Sequence, residues 1–371
     1  LTAALVNGAA GHALDFDDTH TAMMGHPSVP VLSALLVLAE AEAADGRALL
    51  AALVAGVELE CRVGALLGGG HYAAGFHTTG TVGTFGAAAA CAHLMGLDQG
   101  GWLHALGLAG TQAAGLKSGF GTMAKPLHAG RAASAGLLSA LLARGGFTAQ
   151  PAILEVPQGF LATHAGVEPS TEILVRYEGD FLIRDTLFKY HASCHLTHAT
   201  IEAAAQLREQ HGLDPEKIGS VEVRVAPPLL DVCNIEAPTT GLEGKFSLRT
   251  TAGLALLGED TADLSTYGDG KMAEPRLVTL RDRVRVIPTE GLGPMQARVR
   301  VEGDQQSCEA AVDTGVPAPD LGAQGERLRR KFLALSAPVL GAWRAAALAD
   351  AAWSAHQIGS TAELLRLAQP E

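Results

Sequence analysis

The stretch SALLVLAEAEAADGRALLAALVAGV, residues 33–57, decides between two kinds of fold. Its Ala and Leu content would suit a membrane span. However, Glu40, Glu42, Asp45 and Arg47 interrupt it before the roughly 18 to 20 uncharged residues that a span needs. Asp45-Gly46 instead punctuates it into two helices of a folded protein.

Working outward, the same texture runs from Leu1 to about Gly166, broken by Gly68-Gly69-Gly70, Gly96 and Gly145-Gly146. The abundant Ala and Gly let backbones approach closely and predict a tightly packed bundle. Between about 185 and 320 the pattern changes. VEVRV (221–225), RVRVI (283–287) and ARVRV (297–301) alternate as half-buried strands do, with helical segments at 197–211 and 246–257. Residues 312–324, VDTGVPAPDLGAQ, read as a Pro/Gly linker, and Ser360-x-x-Glu363 as a capping box in a closing helical stretch. The expected fold is mostly α with a smaller α+β domain: a discontinuous helical bundle (1–184 and 321–371) and an α+β lid (185–320). The cleft between them is the default site. Leu1 opens inside a helical pattern, which reads as a shortened or processed N-terminus.

Of the 371 residues 48% are hydrophobic and 18% charged, and the formal net charge is −12. With no basic block, nucleic acid is excluded as a partner, and an anionic ligand must find a local cluster of Lys, Arg or His. The five cysteines are odd in number and never form C-x-x-C, which fits a reducing cytoplasm and offers no zinc or iron–sulfur spacing.

Five segments carry the chemistry-bearing residues. In ALDFDDTHTAMMGHP (13–27), a single helix from Leu1 to His20 would put His12, Asp15 and Thr19 on one face and turn Asp17 away. The EF-hand pattern is absent, and His20 and His26 do not pair. In GFHTTGTVGTFG (75–86), His77 precedes Gly80, Gly83 and Gly86, whose spacing reads as a close-packing stripe; a helix start there would hold His77 near an anion. GFGTMAKPLHAGRAA (119–133) sets Lys125, His128 and Arg131 at a helix start. LFKYHASCHLTHATIEAAA (187–205) crowds Lys189, His191, Cys194, His195 and His198 at another, in a spacing that matches no common zinc set. GKFSLRTTAGLALL (244–257) adds Lys245 and Arg249. There is no nucleotide loop, so no cofactor and no metal are expected. The inventory suits acid/base work on a small carboxylate.

These segments resemble the MmgE/PrpD family, which includes 2-methylcitrate dehydratase, cis-aconitate decarboxylase and iminodisuccinate epimerase. HALDFDDTH with GHPS, GFHTTGTVGTFGAA, GTMAKPLHAGRAA, ILEVPQGFL, KYHASCHLTH and KFSLRTTAGLALL carry the likeness over nearly the whole chain. The resemblance implies a cytoplasmic homodimer and metal-independent chemistry on di- or tricarboxylic acids. Its active-site positions fall on Asp15, Thr19, His26, His77, Lys125, His128 and Lys189. Two positions separate the subfamilies: Cys194 stands where the decarboxylases carry His, and Thr250 where they carry Tyr, which points away from cis-aconitate decarboxylation.

The sequence therefore predicts a lyase of the dehydratase type. Lys125, Lys189 and His26 hold substrate carboxylates, Lys245, Thr19 and Thr250 line the substrate, and His77 or Asp15 moves the proton, with His128 and Cys194 at the reacting centre. An epimerase built from the same parts and a non-catalytic carboxylate binder are the alternatives, and a metal hydrolase is the least favoured.

Overall fold

The computed structural model describes residues 1–165, 179–303 and 307–370. The helical run's expected end at Gly166 lies outside them.

Among the described residues, six long helices make the first part: α1 (Thr2–Ala13), α2 (Ser28–Ala41), α3 (Gly46–Ala73), α4 (Thr78–Leu94), α5 (Gln99–Gly110) and α6 (Ala124–Arg144). The opening stretch divides where Asp45 caps α3, its carboxylate accepting from Ala48 N at 2.8 Å. No helix among the described residues is long and apolar enough to cross a membrane. α4 is buried along nearly its whole length, from Thr78 to Ala92. Its glycine stripe is a packing device, as its spacing suggested: a Cβ on Gly86 would sit 2.5 Å from Glu60 Oε2. α1 crosses α6 just as closely, a Cβ on Gly8 lying 2.7 Å from Gly130 Cα. That approach brings His12 on α1 near Lys125 on α6.

The second part holds a four-stranded sheet of β1 (Ile218–Val225), β2 (Val284–Pro288), β3 (Gln296–Gly303) and β4 (Ser307–Asp313), in the order β2-β1-β3-β4. β1 and β2 are parallel and the other pairs antiparallel, with Val221 opposite Val284 and Val223 opposite Val299. The alternating valines turn one face onto α7 (His198–His211), where Ile201, Ala204 and Leu207 join Val221, Val223, Val225 and Val301 in one core. α8 (Leu248–Leu257) packs on the same core.

Two expectations are corrected at the C-terminal end. The linker expected over 312–324 is shorter, because β4 runs to Asp313 and α9 (Leu321–Leu340) begins at Leu321. The capping box at Ser360 does not form. The neighbouring Thr361 instead gives its hydroxyl to Ala44 O at 2.8 Å, and Gly46 N donates to Ile358 O at 2.9 Å. These bonds seat the end of the chain on the turn between α2 and α3.

Candidate active site

α1 ends at Ala13, so the expected single helix through His20 is not formed and the helical phase does not place Asp15. Asp15 takes a left-handed backbone, φ 60°, a conformation uncommon outside glycine and tolerated by Asp. The turn drives its carboxylate inward, to 2% exposure. There it accepts from Lys189 Nζ at 2.6 Å and from Lys125 Nζ at 3.2 Å. Burial alone would raise its pKa, but Lys125 and Lys189 hold it well below the ordinary carboxylate value. Burial opposes charge on Lys125 too, yet Asp15 keeps that ammonium above its usual value.

Two further lysines reach the same turn. Lys245 Nζ donates to Leu14 O at 3.0 Å, and Lys331 Nζ, from α9, donates to Phe16 O at 3.3 Å and Lys189 O at 2.9 Å. Four cations from four segments thus converge on residues 14–16. Lys331 was not singled out in the sequence, where it sits in the charged run GERLRRKFLAL.

The three acids of the D-x-D-D run do three different jobs. Asp17 does not turn away: its Oδ2 lies 2.6 Å from His12 Nδ1 and 3.1 Å from His26 Nδ1, bridging the two rings. Asp18 caps α2, accepting from the Ser28 backbone and hydroxyl, and burial raises its pKa to about 6. His12, Asp17 and His26 place three ligand atoms within 4.8 Å of one another, a grouping the His20 and His26 spacing did not reveal. The Asp17 bridge, a hydrogen bond to His12 and a close charge contact to His26, is the simpler account of that grouping.

From this bridge a line of imidazoles continues. The ring of His12 stacks 5.7 Å from that of His77, and His77 Nδ1 lies 3.0 Å from His128 Nδ1. His77 caps α4 as expected, 2% exposed, with Nε2 buried and unpartnered. Burial, with His12 and Lys125 nearby, lowers its pKa well below the ordinary imidazole value. Two facing Nδ1 atoms share one proton, so the ring that donates fixes the tautomer of the other.

Thr19 pairs with Leu187 through both backbone bonds at 2.8 Å, two residues before Lys189, and its hydroxyl meets His195 Nδ1 at 2.5 Å. Burial brings His195 down to about 3, so it is neutral. Cys194 and Cys233 are both free thiols; a hydrogen bond from Cys233 lowers the pKa of Cys194, whose amide donates to Lys245 O at 3.0 Å. Thr250, on the first turns of α8, is fully buried; among the described residues no hydrogen bond or ion pair ties it to the lysines. The structure thus gathers Asp15, Lys125, Lys189, Lys245, His26, His77 and His128, while the Thr250 hydroxyl is buried without a hydrogen-bond partner among the described residues.

The centre of the cluster is closed, with Asp15, Lys125, Lys189, Lys245 and His77 all buried. Cavities flank it: one of about 750 Å³ walled by Tyr190, His195, His198 and Arg327, and one of about 380 Å³ walled by Gln112, Ser118, His128 and Arg131.

A closed cluster of lysines, imidazoles and one carboxylate on a left-handed turn, carried on a helical bundle beside a small mixed sheet, is an inventory suited to acid–base chemistry on an anion. Sequence comparison gives the family. The MmgE/PrpD N-terminal domain matches residues 1–172 and the MmgE/PrpD C-terminal domain residues 191–355, and the chain belongs to that family. Among similar proteins, cis-aconitate decarboxylase of Homo sapiens is 31% identical over 302 residues, covering 76% of this chain and 60% of that protein. The chain therefore spans less than two thirds of that relative. Cis-aconitate decarboxylase of Aspergillus terreus (strain NIH 2624 / FGSC A1156) is 29% identical over 402 positions, covering 99% of this chain and 81% of that protein.

Proposed function

We propose that the protein is a lyase that acts on a small di- or tricarboxylate by moving a proton at the carbon alpha to a carboxylate. The observation that carries this reading is the placement of Lys125 and Lys189 on one buried carboxylate, beside the His77–His128 pair. A substrate carboxylate takes the place of the Asp15 carboxylate on the two ammonium groups, a charge-assisted contact that gains strength where water is excluded. Lys245 and His26 hold the remaining acidic groups.

In the dehydratase form His77 Nε2 removes the alpha proton, the bond to the neighbouring hydroxyl breaks as the double bond forms, and a second acid protonates the departing oxygen. Neutral His77 suits the role of base, and His128, sharing its proton, restores the tautomer. Each well-placed acid or base contributes about 10² to 10⁴ in rate. Cys194 and Thr250, in place of the decarboxylases' His and Tyr, favour this form. The chain acts without a metal, as a dimer.

A second reading is supported by the names of the relatives. In a decarboxylation of cis-aconitate the bond to the departing carboxylate breaks to release CO2, its electrons form the new double bond, and the former vinyl carbon takes up a proton. The same lysines and imidazoles serve both reactions.

Proton and carbon NMR in D2O, on chelator-treated protein with a panel of di- and tricarboxylates, separates them. Loss of water supports the dehydratase, loss of CO2 with one deuterium gained supports the decarboxylase, and alpha exchange with inversion supports an epimerase. Tight binding with no exchange would point to a carboxylate-binding protein, and activity that needs added metal would sink the metal-independent mechanism.

A further inference from the structure

Lys331 stands outside every segment whose sequence suggested chemistry, yet its ammonium bonds to two backbone carbonyls that matter. Phe16 O follows directly on Asp15, and Lys189 O belongs to the residue whose ammonium meets Asp15. The Nζ also lies 5.1 Å from the centre of the Phe16 ring. The Thr19–Leu187 pairing joins the same two segments a few residues away. Lys331 joins them beside the buried Asp15–Lys189 pair.

We propose that Lys331 is a positioning residue: from α9 it ties the backbone at residues 16 and 189 together, and so sets the approach of Asp15 to Lys189. The inference rests on the proposed function, in which Lys189 holds a substrate carboxylate where Asp15 now sits. Truncating the ammonium would release both carbonyls, and the left-handed turn at Asp15 would lose a brace against relaxing toward an ordinary backbone. An error of about 1 Å in the placement of Lys189, which positions the substrate carboxylate, costs on the order of 10²-fold in rate.

The groups that face Lys331 are Lys189, Asp17, Asp18 and Arg327. Arg327, one turn earlier on α9, is itself engaged with Glu202 at 2.9 Å and lies over the Tyr190 ring. Burial and the neighbouring Lys189 bring Lys331 down to about 8. Its proton is therefore lost within a workable pH range, which supplies a signature that general loosening of the fold lacks.

The test compares Lys331→Met and Lys331→Arg with the wild type by two measurements. Backbone hydrogen exchange on the ligand-free protein needs no substrate: Lys331→Met should speed exchange about tenfold in residues 14–19 and 187–194 and leave the sheet unchanged. With the carboxylate that the wild type turns over, kcat should fall about 10²-fold while KM stays within about threefold. The wild type should lose kcat above pH 8, and Lys331→Arg, whose guanidinium stays charged, should restore kcat and lack that alkaline limb. Unchanged exchange or unchanged kcat in Lys331→Met, or an identical limb in Lys331→Arg, overturns the proposal. Should Lys331→Met not fold, Lys331→Gln carries the exchange measurement. A wild type that turns over no carboxylate refutes the functional reading alone, because the exchange result still judges Lys331.

Discussion

Lys189 Nζ donates to Asp15 Oδ1 at 2.6 Å across 174 positions of sequence, and both side chains are shut away from solvent. A buried pair of this kind costs most when one partner is removed, because the other charge is stranded. Lys189→Met should therefore destabilise the protein by about 3 to 5 kcal/mol in a urea titration. Adding Asp15→Asn should recover part of that loss. A loss below about 1 kcal/mol would show that Lys125 alone satisfies Asp15.

The facing Nδ1 atoms of His77 and His128 make a kinetic prediction. His77→Gln should lower kcat by about 10² to 10⁴ with KM changed little, as expected of a group that acts in the transition state. His128→Gln should lower kcat less, because it removes the partner that selects the tautomer and leaves the ring that moves the proton. Equal losses in steady-state kinetics would contradict this division of labour.

Acid stability follows from His12. Burial lowers its pKa to about 4, against an ordinary 6.5, although Asp17 opposes the shift. A base with a depressed folded-state pKa contributes stability that is fully present above pH 6.5 and is lost as pH falls toward 4. The linkage is on the order of 3 kcal/mol. Asp18 works the other way: its pKa of about 6 means that stability is lost as pH rises from its ordinary 3.8 toward 6. His12→Gln should flatten the rise of stability between pH 4 and 6.5, measured by denaturant titration at each pH. An unchanged slope would mean that the unfolding transition does not sense that ring.

Much of the architecture was legible because it rests on local periodicity. The valines of β1 and the start of α3 at Asp45 announce themselves. β4 carries little signal in the sequence, because SCEAAVD buries only Ala310 and mixes Glu and Ala into the strand. Asp15 was identified, but for a reason that fails: helical phase cannot place a residue beyond the end of its helix. Asp17 was set aside on the same argument, and the structure returns it as the bridge between His12 and His26. Lys331 carried no signal, since what sets it apart from the arginines beside it is the distant backbone that it reaches.

Gly46→Ala tests the seating of the chain's end. A Cβ there would lie 1.7 Å from Ala355 O, so backbone must move. In an open helix this exchange would stabilise by about 1 kcal/mol; here it should destabilise by about 1 to 3 kcal/mol and lower Tm. An unchanged or raised Tm would show that residues 355–361 give way freely.

The buried lysines have a consequence for the rate of encounter. The molecule as a whole carries a formal charge of −12, and its reactive cations are sealed inside. Under the proposed function, an approaching polycarboxylate meets repulsion first and attraction only after it has entered. Added salt screens the outer field over about 10 Å at 0.1 M and leaves the enclosed charges almost untouched. The second-order rate constant kcat/KM should therefore climb with ionic strength, the reverse of an enzyme that draws its substrate in by surface charge.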